Sequence, residues 1–240
     1  MPDPLWSIIA SAMALIPVDF GGGCSVPKAN VMAWLIRHFQ MTTSVEIGVY
    51  RGRSLLPQAI VHKIATGGVA YGVDPYSPDI AMEHDNLALA GDIAAFTRKT
   101  DWDALHRGVL ELRDTFGLQN HCTVLRQTGA EAAAEFARQG KRFGLVHVDG
   151  NHDTAYVMKD VELYLPLVTP GGFVVMDDIS WDSVKPAVAA VAAQATPILE
   201  VPASAAGDYA VFRMAPDEPG HESLREVLRS YAFDERNRVA

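Results

Sequence analysis

Short apolar runs alternate with helical patterns along most of this 240-residue chain, and that rhythm constrains the fold more than any single motif. "SVEIGV" (44–49) reads as a buried strand and "SLLPQAIVHKIA" as the helix after it. "GVAYGVD" (68–74) is a second strand, and "CTVLRQ" (122–127) a third, followed by the helix "GAEAAAEFARQ". "FGLVHVD" (143–149) leads into "TAYVMKDVELYLPLV", and "GGFVVMDD" (171–178) into "SVKPAVAAVAAQ". Strands spaced by helices imply βαβ units, hence a parallel sheet with right-handed crossovers. The end of the chain breaks the pattern. "TPILEVPA" and "DYAVFRMA" are separated by a loop too short for anything but an antiparallel pair. The expectation is an α/β chain with a doubly wound, seven-stranded sheet, mostly parallel, carrying an antiparallel terminal strand.

The length suits one large α/β domain over residues 1–240, with additions. Residues 1–43 read as an N-terminal helical arm, with a flexible joint in "GGGCSVP" (21–27). Residues 75–116 are too long for an ordinary βα loop and read as a helical insertion, a lid over the sheet or plain solvated surface. The start of the chain lacks a basic n-region and carries Asp3 and Asp19, unlike a signal peptide. No apolar run has the length of a membrane span. The two cysteines, Cys24 and Cys122, form no paired motif and read as small apolar fillers. A net charge of −9 argues against nonspecific nucleic-acid binding, which needs a basic face. A cytoplasmic protein without nucleic-acid or membrane partners is expected. A homo-oligomer is possible through the apolar N-terminal helix.

Ligands of open α/β sheets sit outside the carboxyl ends of the strands. The first strand delivers Glu46, Gly48, Gly52 and Ser54 there; the second delivers Asp74. The third brings Gln127, Thr128 and Gly129, the fourth Asp149, Asn151 and His152, and the fifth Asp177 and Asp178. Gly48 and Gly52 flank a strand–helix turn that would let backbone approach a ligand. Neither GxGxxG nor a P-loop is present. Asp74 follows Gly52 by 22 positions, close to the spacing of acids that hold ribose hydroxyls. A glycine turn with a strand-end acid points to an adenosine-containing ligand.

Adjacent Asp177 and Asp178, joined by Asp149 from the neighbouring strand, would repel one another without a cation between them. Oxygen-only ligation suits a hard divalent ion, magnesium first. The competing structural reading is that Asp177 or Asp178 merely caps the next helix. His152 lies three residues beyond Asp149 and is the candidate general base; the alternative is a histidine that only supports a ligand residue from behind or lies on the surface. His84 in the insertion is a possible substrate contact. The remaining histidines, His147 among them, read as structural.

"VEIGVYRGRS", "GVDPY" and above all "VHVDGNHDTAYVMKDVELYLPLVTPGGFVVMDD" resemble the class I S-adenosylmethionine-dependent methyltransferases, and more closely the bacterial metal-dependent O-methyltransferases that include sugar-tailoring enzymes. "DFGGGCSVPKA" is similar to the same subgroup, and the likeness spans roughly 20–214 apart from the insertion. The resemblance implies a Rossmann-like sheet with a reversed last strand. It implies that Glu46, Gly48 and Gly52, with Ser54 beside them, line the methionine part of S-adenosylmethionine, that Asp74 holds the ribose, and that Thr128 and Gly129 lie near the adenine. It implies Asp149, Asp177 and Asp178 as metal ligands, Asp149 also bordering the cofactor, and Asp149 and His152 as the catalytic residues, His152 being the base. Two departures stand out: Thr154 where the subgroup often has Tyr, and Asp177 where it often has Glu.

The chemistry that follows is methyl transfer to a hydroxyl oxygen of a small molecule, a sugar or catechol-like diol, assisted by a divalent ion. Two alternatives remain at this point. One is a non-catalytic module of the same fold that binds cofactor or carbohydrate. The other is an NAD-dependent oxidoreductase, which would call for GxGxxG and a Tyr/Lys pair.

Overall fold

A computed structural model describes residues 4–19, 23–205 and 207–233. Within these the element order is α1 (Pro4–Ala14), α2 (Val26–His38), β1 (Thr43–Ile47), α3 (Leu55–Val61) with a π-helical continuation His62–Thr66, and β2 (Val69–Val73). Then come α4 (Pro78–Ala81), α5 (Ala90–Lys99), α6 (Trp102–Thr115), β3 (Cys122–Leu125), α7 (Gly129–Arg138) and β4 (Phe143–Val148). The chain continues with α8 (Thr154–Tyr164), β5 (Val168–Asp177), α9 (Lys185–Ala192), β6 (Thr196–Ser204), β7 (Gly207–Arg213) and α10 (Gly220–Phe233). Part of the joint expected at 21–27, residues 21 and 22, lies outside the described residues.

The seven strands form one sheet in the order β3-β2-β1-β4-β5-β7-β6. The pairs from β3 to β5 are parallel, and β7 runs antiparallel to both β5 and β6. This is the doubly wound, Rossmann-like sheet with a reversed last strand that the strand rhythm and the short β6–β7 link predict. Helices cover both faces. One core contains Leu35, Ile36, Leu55, Leu56 and Phe173 beneath α1, α2, α3 and α10; the other contains Ala132, Phe136, Val157, Val161 and Val191 beneath α7, α8 and α9. Strands buried on both faces are mostly apolar, as in parallel sheets generally, with Ser44 and Glu46 on β1 and His147 on β4 as buried exceptions.

Local chemistry sets the helix starts. Ser25 caps α2, its hydroxyl accepting the Lys28 N–H at 3.1 Å, and Pro27 occupies the first turn. Thr128 and Glu131 form a reciprocal capping box on α7. The sheet order reverses between β1 and β4, so the loops after these two strands diverge and open a crevice. Residues 75–116 fold as α4, α5 and α6 beside that crevice. The N-terminal arm is fastened by Arg53, which donates to the carbonyls of Met13 (2.8 Å), Ile16 (2.9 Å) and Cys24 (2.9 Å).

Candidate functional site

At the switch point the two backbones touch. A Cβ on Gly48 would lie 1.8 Å from the Asp149 carbonyl oxygen, and Gly48 has φ +87°, a conformation glycine adopts freely. Around this contact opens a cavity of about 570 Å³, in the range of small-molecule sites. Lys28, Gly48, Ser54, Asp74, Thr128, Gly129, Asp149, His152, Asp177 and Asp178 border it. Two non-glycine residues that border it, Tyr50 and Asp178, also have positive φ (48° and 50°), as does the neighbouring buried Tyr76 (47°). Such strain persists where the surroundings impose it, and it collects at functional sites.

The Asp74 carboxylate clamps the turn after β1. It accepts N–H bonds from Val49 (3.1 Å), Tyr50 (2.9 Å) and Tyr76 (2.7 Å). Burial pushes its pKa up against the pull of these three donors. A carboxylate has about four acceptor positions; Oδ2 takes two of these donors and Oδ1 one, so one position remains on Oδ1. Ser54 donates to Glu46 at 2.7 Å. Glu46 lies fully buried beneath the floor, where it also accepts from Gln58 (2.8 Å) and meets His147 Nδ1 (3.0 Å). Gly52 faces Leu56 and Val109 rather than the cavity. Of the residues expected around a methionine tail, Gly48 and Ser54 therefore border the space, and Glu46 and Gly52 support it from behind. The Thr128 hydroxyl is engaged in its capping box, and Gly129 packs against Asp160.

The three acids expected to share one ion are divided between different partners. Lys28, only 2% exposed, extends from the first turn of α2 and ion-pairs with Asp177; its Nζ is 3.7 Å from Asp149 Oδ2. Asp178 instead lies 2.8 Å from His152 Nε2, a close contact misaligned for a hydrogen bond. Neither aspartate caps α9, which begins at Lys185. Burial opposes every charge here. For Lys28, the fields of Asp177 and Asp149 outweigh burial and hold the ammonium well above its usual range. For Asp177, Lys28 and His147 outweigh burial and keep the carboxylate ionised far below its usual range. Asp149 goes the other way: burial and the charge of Asp177 push it well up. His147 is raised to about 9, because Asp177 and Glu46 overcome burial and the repulsion of Lys28.

His152 is held by the insertion. Glu83 Oε1 meets its Nδ1 at 2.7 Å and accepts its backbone N–H at 3.1 Å. Asp178 and Glu83 together raise the imidazole well above its ordinary pKa despite burial. Neighbouring bonds fix the same loop to the insertion: Asn151 donates to the carbonyls of Ile80 and Met82, and Asp153 accepts from the backbone of His84 and Asp85. His84 itself is spent on Asp153 Oδ2 (3.1 Å), and its side chain is mostly exposed.

Two donor groups are close enough to hold an ion: His147, Asp149 and Asp177; and Asp149, His152 and Asp178. The first already contains the Lys28 ammonium. The second depends on His152, whose Nδ1 is engaged by Glu83 and whose Nε2 lies 2.8 Å from Asp178, and neither group contains all three acids. These residues do not fit a divalent ion shared by the three acids. Sequence reasoning missed Lys28, Glu83 and the buried His147. The signals for them were faint: a cation in the first turn of a helix, against the macrodipole, and Glu46 opposite His147 in the β1–β4 register.

No helix among the described residues is long and apolar enough to cross a membrane. Comparison with curated proteins by sequence finds no match. Solved structures do match in fold. An enzyme described as a putative O-methyltransferase from Klebsiella pneumoniae superposes with a TM-score of 0.61 at 14% identity, covering 90% of this chain and 92% of that one. TomG from Streptomyces achromogenes, an O-methyltransferase of tomaymycin synthesis solved with SAM, gives 0.58 at 16% identity over 90% and 92%. The O-methyltransferase NovP gives 0.61 at 14% identity over 88% and 97%. A family model described as "Methyltransferase domain" matches residues 45–179, more than half of the sequence, and the chain belongs to that methyltransferase family.

Proposed function

We propose that this protein is an S-adenosylmethionine-dependent O-methyltransferase acting on a hydroxyl group of a small molecule, with a sugar or catechol-like diol as the acceptor class. The observation that carries the reading is the pairing, across one cavity, of the Gly48 turn with Asp74 on one side and His152 on the other. The absence of a Cβ at Gly48 lets the Asp149 backbone close against the turn after β1 and so shapes the wall on which a cofactor tail would lie, and Asp74 keeps an acceptor position for ribose hydroxyls. The neighbours TomG and NovP, described as O-methyltransferases, support the same class.

When bound, the cofactor supplies an electrophilic methyl group on a sulfonium. The chain's own residues do the rest. A neutral hydroxyl is a poor nucleophile and must lose its proton as it attacks. Because Nδ1 of His152 is committed to Glu83, Nε2 is the position that receives that proton, in the neutral ring that forms as pH rises through the raised pKa. Asp178, 2.8 Å away, then stabilises the imidazolium. The reading assigns no step to a divalent ion, since Lys28 stands among the acids that would hold one.

Calorimetry with S-adenosylmethionine, its demethylated product and NAD, followed by an acceptor screen read as demethylated cofactor, tests the proposal. Micromolar binding of the first two with turnover on a diol supports it. Binding without turnover on any hydroxyl acceptor would leave a non-catalytic module, and binding of NAD alone would point to the oxidoreductase.

A further inference from the structure

We infer that Lys28 is the built-in cation of this centre: its ammonium, set between Asp177 and Asp149, takes the place of a divalent ion, so that the site assembles and works metal-free. The inference rests on the methyltransferase reading for its catalytic half, but its structural half stands on geometry alone.

Lys28 occupies an unfavourable position by every local rule. It is the third residue of α2, where the helix dipole repels a cation. It is buried to 2% exposure on a helix whose other inward residues are mostly apolar. Burying an ammonium costs several kcal/mol unless it is paired. A local rule broken at a buried position marks a residue retained for its partners. The partners here are two of the acids that converge from adjacent strands, Asp177 at the end of β5 and Asp149 just beyond β4. The ring of Tyr209 lies 5.9 Å from the ammonium, and His147 Nε2 approaches the same two carboxylates at 3.7 and 3.8 Å. The Lys28 ammonium from α2 and the His147 imidazole from β4 therefore already face Asp149 and Asp177.

The consequence is chemical. An ammonium offsets one of the two carboxylate charges and presents N–H donors, but it has no coordination sphere to exchange. It can orient an acceptor oxygen, and it cannot acidify one as strongly as a doubly charged ion. Proton removal then falls more heavily on His152, the residue that Glu83 holds in place.

Manganese binding, measured by the loss of free-ion paramagnetic resonance signal on the full-length protein, provides the test. The wild type is expected to bind no manganese at 1:1 stoichiometry, and its turnover is expected to be unchanged by EDTA. Lys28→Met, which keeps the aliphatic stem, should acquire manganese binding at least tenfold tighter than wild type, with a melting temperature that rises on adding the ion. Should Lys28→Met fail to fold alone, Lys28→Met/Asp177→Asn removes the unpaired charge; it should fold and bind no manganese. Stoichiometric manganese binding by the wild type that disappears in Asp177→Asn would overturn the inference, as would a Lys28→Met protein that gains none. Calorimetric binding of the demethylated cofactor to the same samples reports separately on the methyltransferase reading. Its loss with the manganese pattern intact would sink that reading and leave the cation assignment standing.

Discussion

Glu83 and His152 are 69 positions apart in sequence, yet the Glu83 carboxylate meets both the ring Nδ1 (2.7 Å) and the backbone N–H (3.1 Å) of His152. The helical insertion therefore fixes the tautomer and the aim of the candidate base. Position alone made His152 a candidate; this carboxylate gives it the orientation general-base catalysis requires.

Replacing Glu83 by Gln tests that relationship. A positioned general base contributes roughly 10²–10⁴ in rate, and we expect His152→Ala to lose that range while Glu83→Gln loses about tenfold of it. The KM for the cofactor should not move. Glu83 also raises the pKa of His152, so its neutralisation should shift the acidic limb of the kcat–pH profile to lower pH. A limb that stays in place would reduce Glu83 to a loop fastener.

Asp74→Ala should act on the cofactor and not on the chemical step. It removes three charge-assisted bonds to the turn after β1 and the acceptor proposed for the ribose. Each such bond contributes about 1.5–3 kcal/mol, so a 10–100-fold rise in Kd for the demethylated cofactor is expected by calorimetry, along with a lower Tm.

Gly48→Ala should be far more damaging than a comparable change elsewhere. The added methyl would meet the Asp149 carbonyl oxygen at 1.8 Å and force a left-handed φ on alanine. Gly140 shares the left-handed φ, +66°, but faces open space. We expect Gly140→Ala to cost about 1 kcal/mol of backbone strain, and Gly48→Ala well over 2 kcal/mol with cofactor binding lost. Urea denaturation of the two variants gives the comparison.

Acid sensitivity should arise partly at His62. Burial, with help from His121, lowers its pKa to about 4, and its ring meets Ser44 Oγ (3.1 Å) and Thr66 Oγ1 (2.8 Å). The unfolded chain protonates this imidazole near pH 6.5 while the folded chain keeps it neutral to about 4. Stability is therefore lost as pH falls through that window, by about 3 kcal/mol at one proton and 1.36 kcal/mol per pH unit. In His62→Gln, unfolding free energy should vary less between pH 7 and 4.5 by that one proton.

Asp160 works in the opposite direction. Burial raises its carboxyl to about 7, and no hydrogen bond to it is found among the described residues. A folded-state pKa above the unfolded value gives stability that is complete below about pH 4 and is lost as pH rises through 7. Asp160→Asn should therefore raise Tm at pH 8, by at most about 4 kcal/mol of stability, and change little at pH 4. An equal effect at both pH values would mean that the carboxyl is not the titrating group.

The doubly wound sheet was legible because its signal is local. Apolar strands such as 44–49 and 143–149 keep their pattern within a few residues, and the β6–β7 link is too short for any parallel arrangement. The strand-tip acids were legible for the same reason: in a parallel sheet every such tip faces one edge. The insertion was legible only as an interruption. Its helices could be expected, but nothing in "MEHDN" distinguishes the glutamate that reaches His152 from the histidine that turns away to Asp153.

Periodicity and chain direction thus determined which elements form, their order, and which end of the sheet collects Gly48, Asp74, Asp149, His152, Asp177 and Asp178. Tertiary packing alone decided what those acids face. Lys28 lies 149 residues from Asp177, and the pairing exists only because α2 packs its first turn beside the ends of β4 and β5. The reason is the range of the forces involved. Strand and helix patterns are set by neighbours a few residues away, whereas a buried charge takes its partner from whatever the folded core brings within a few ångströms.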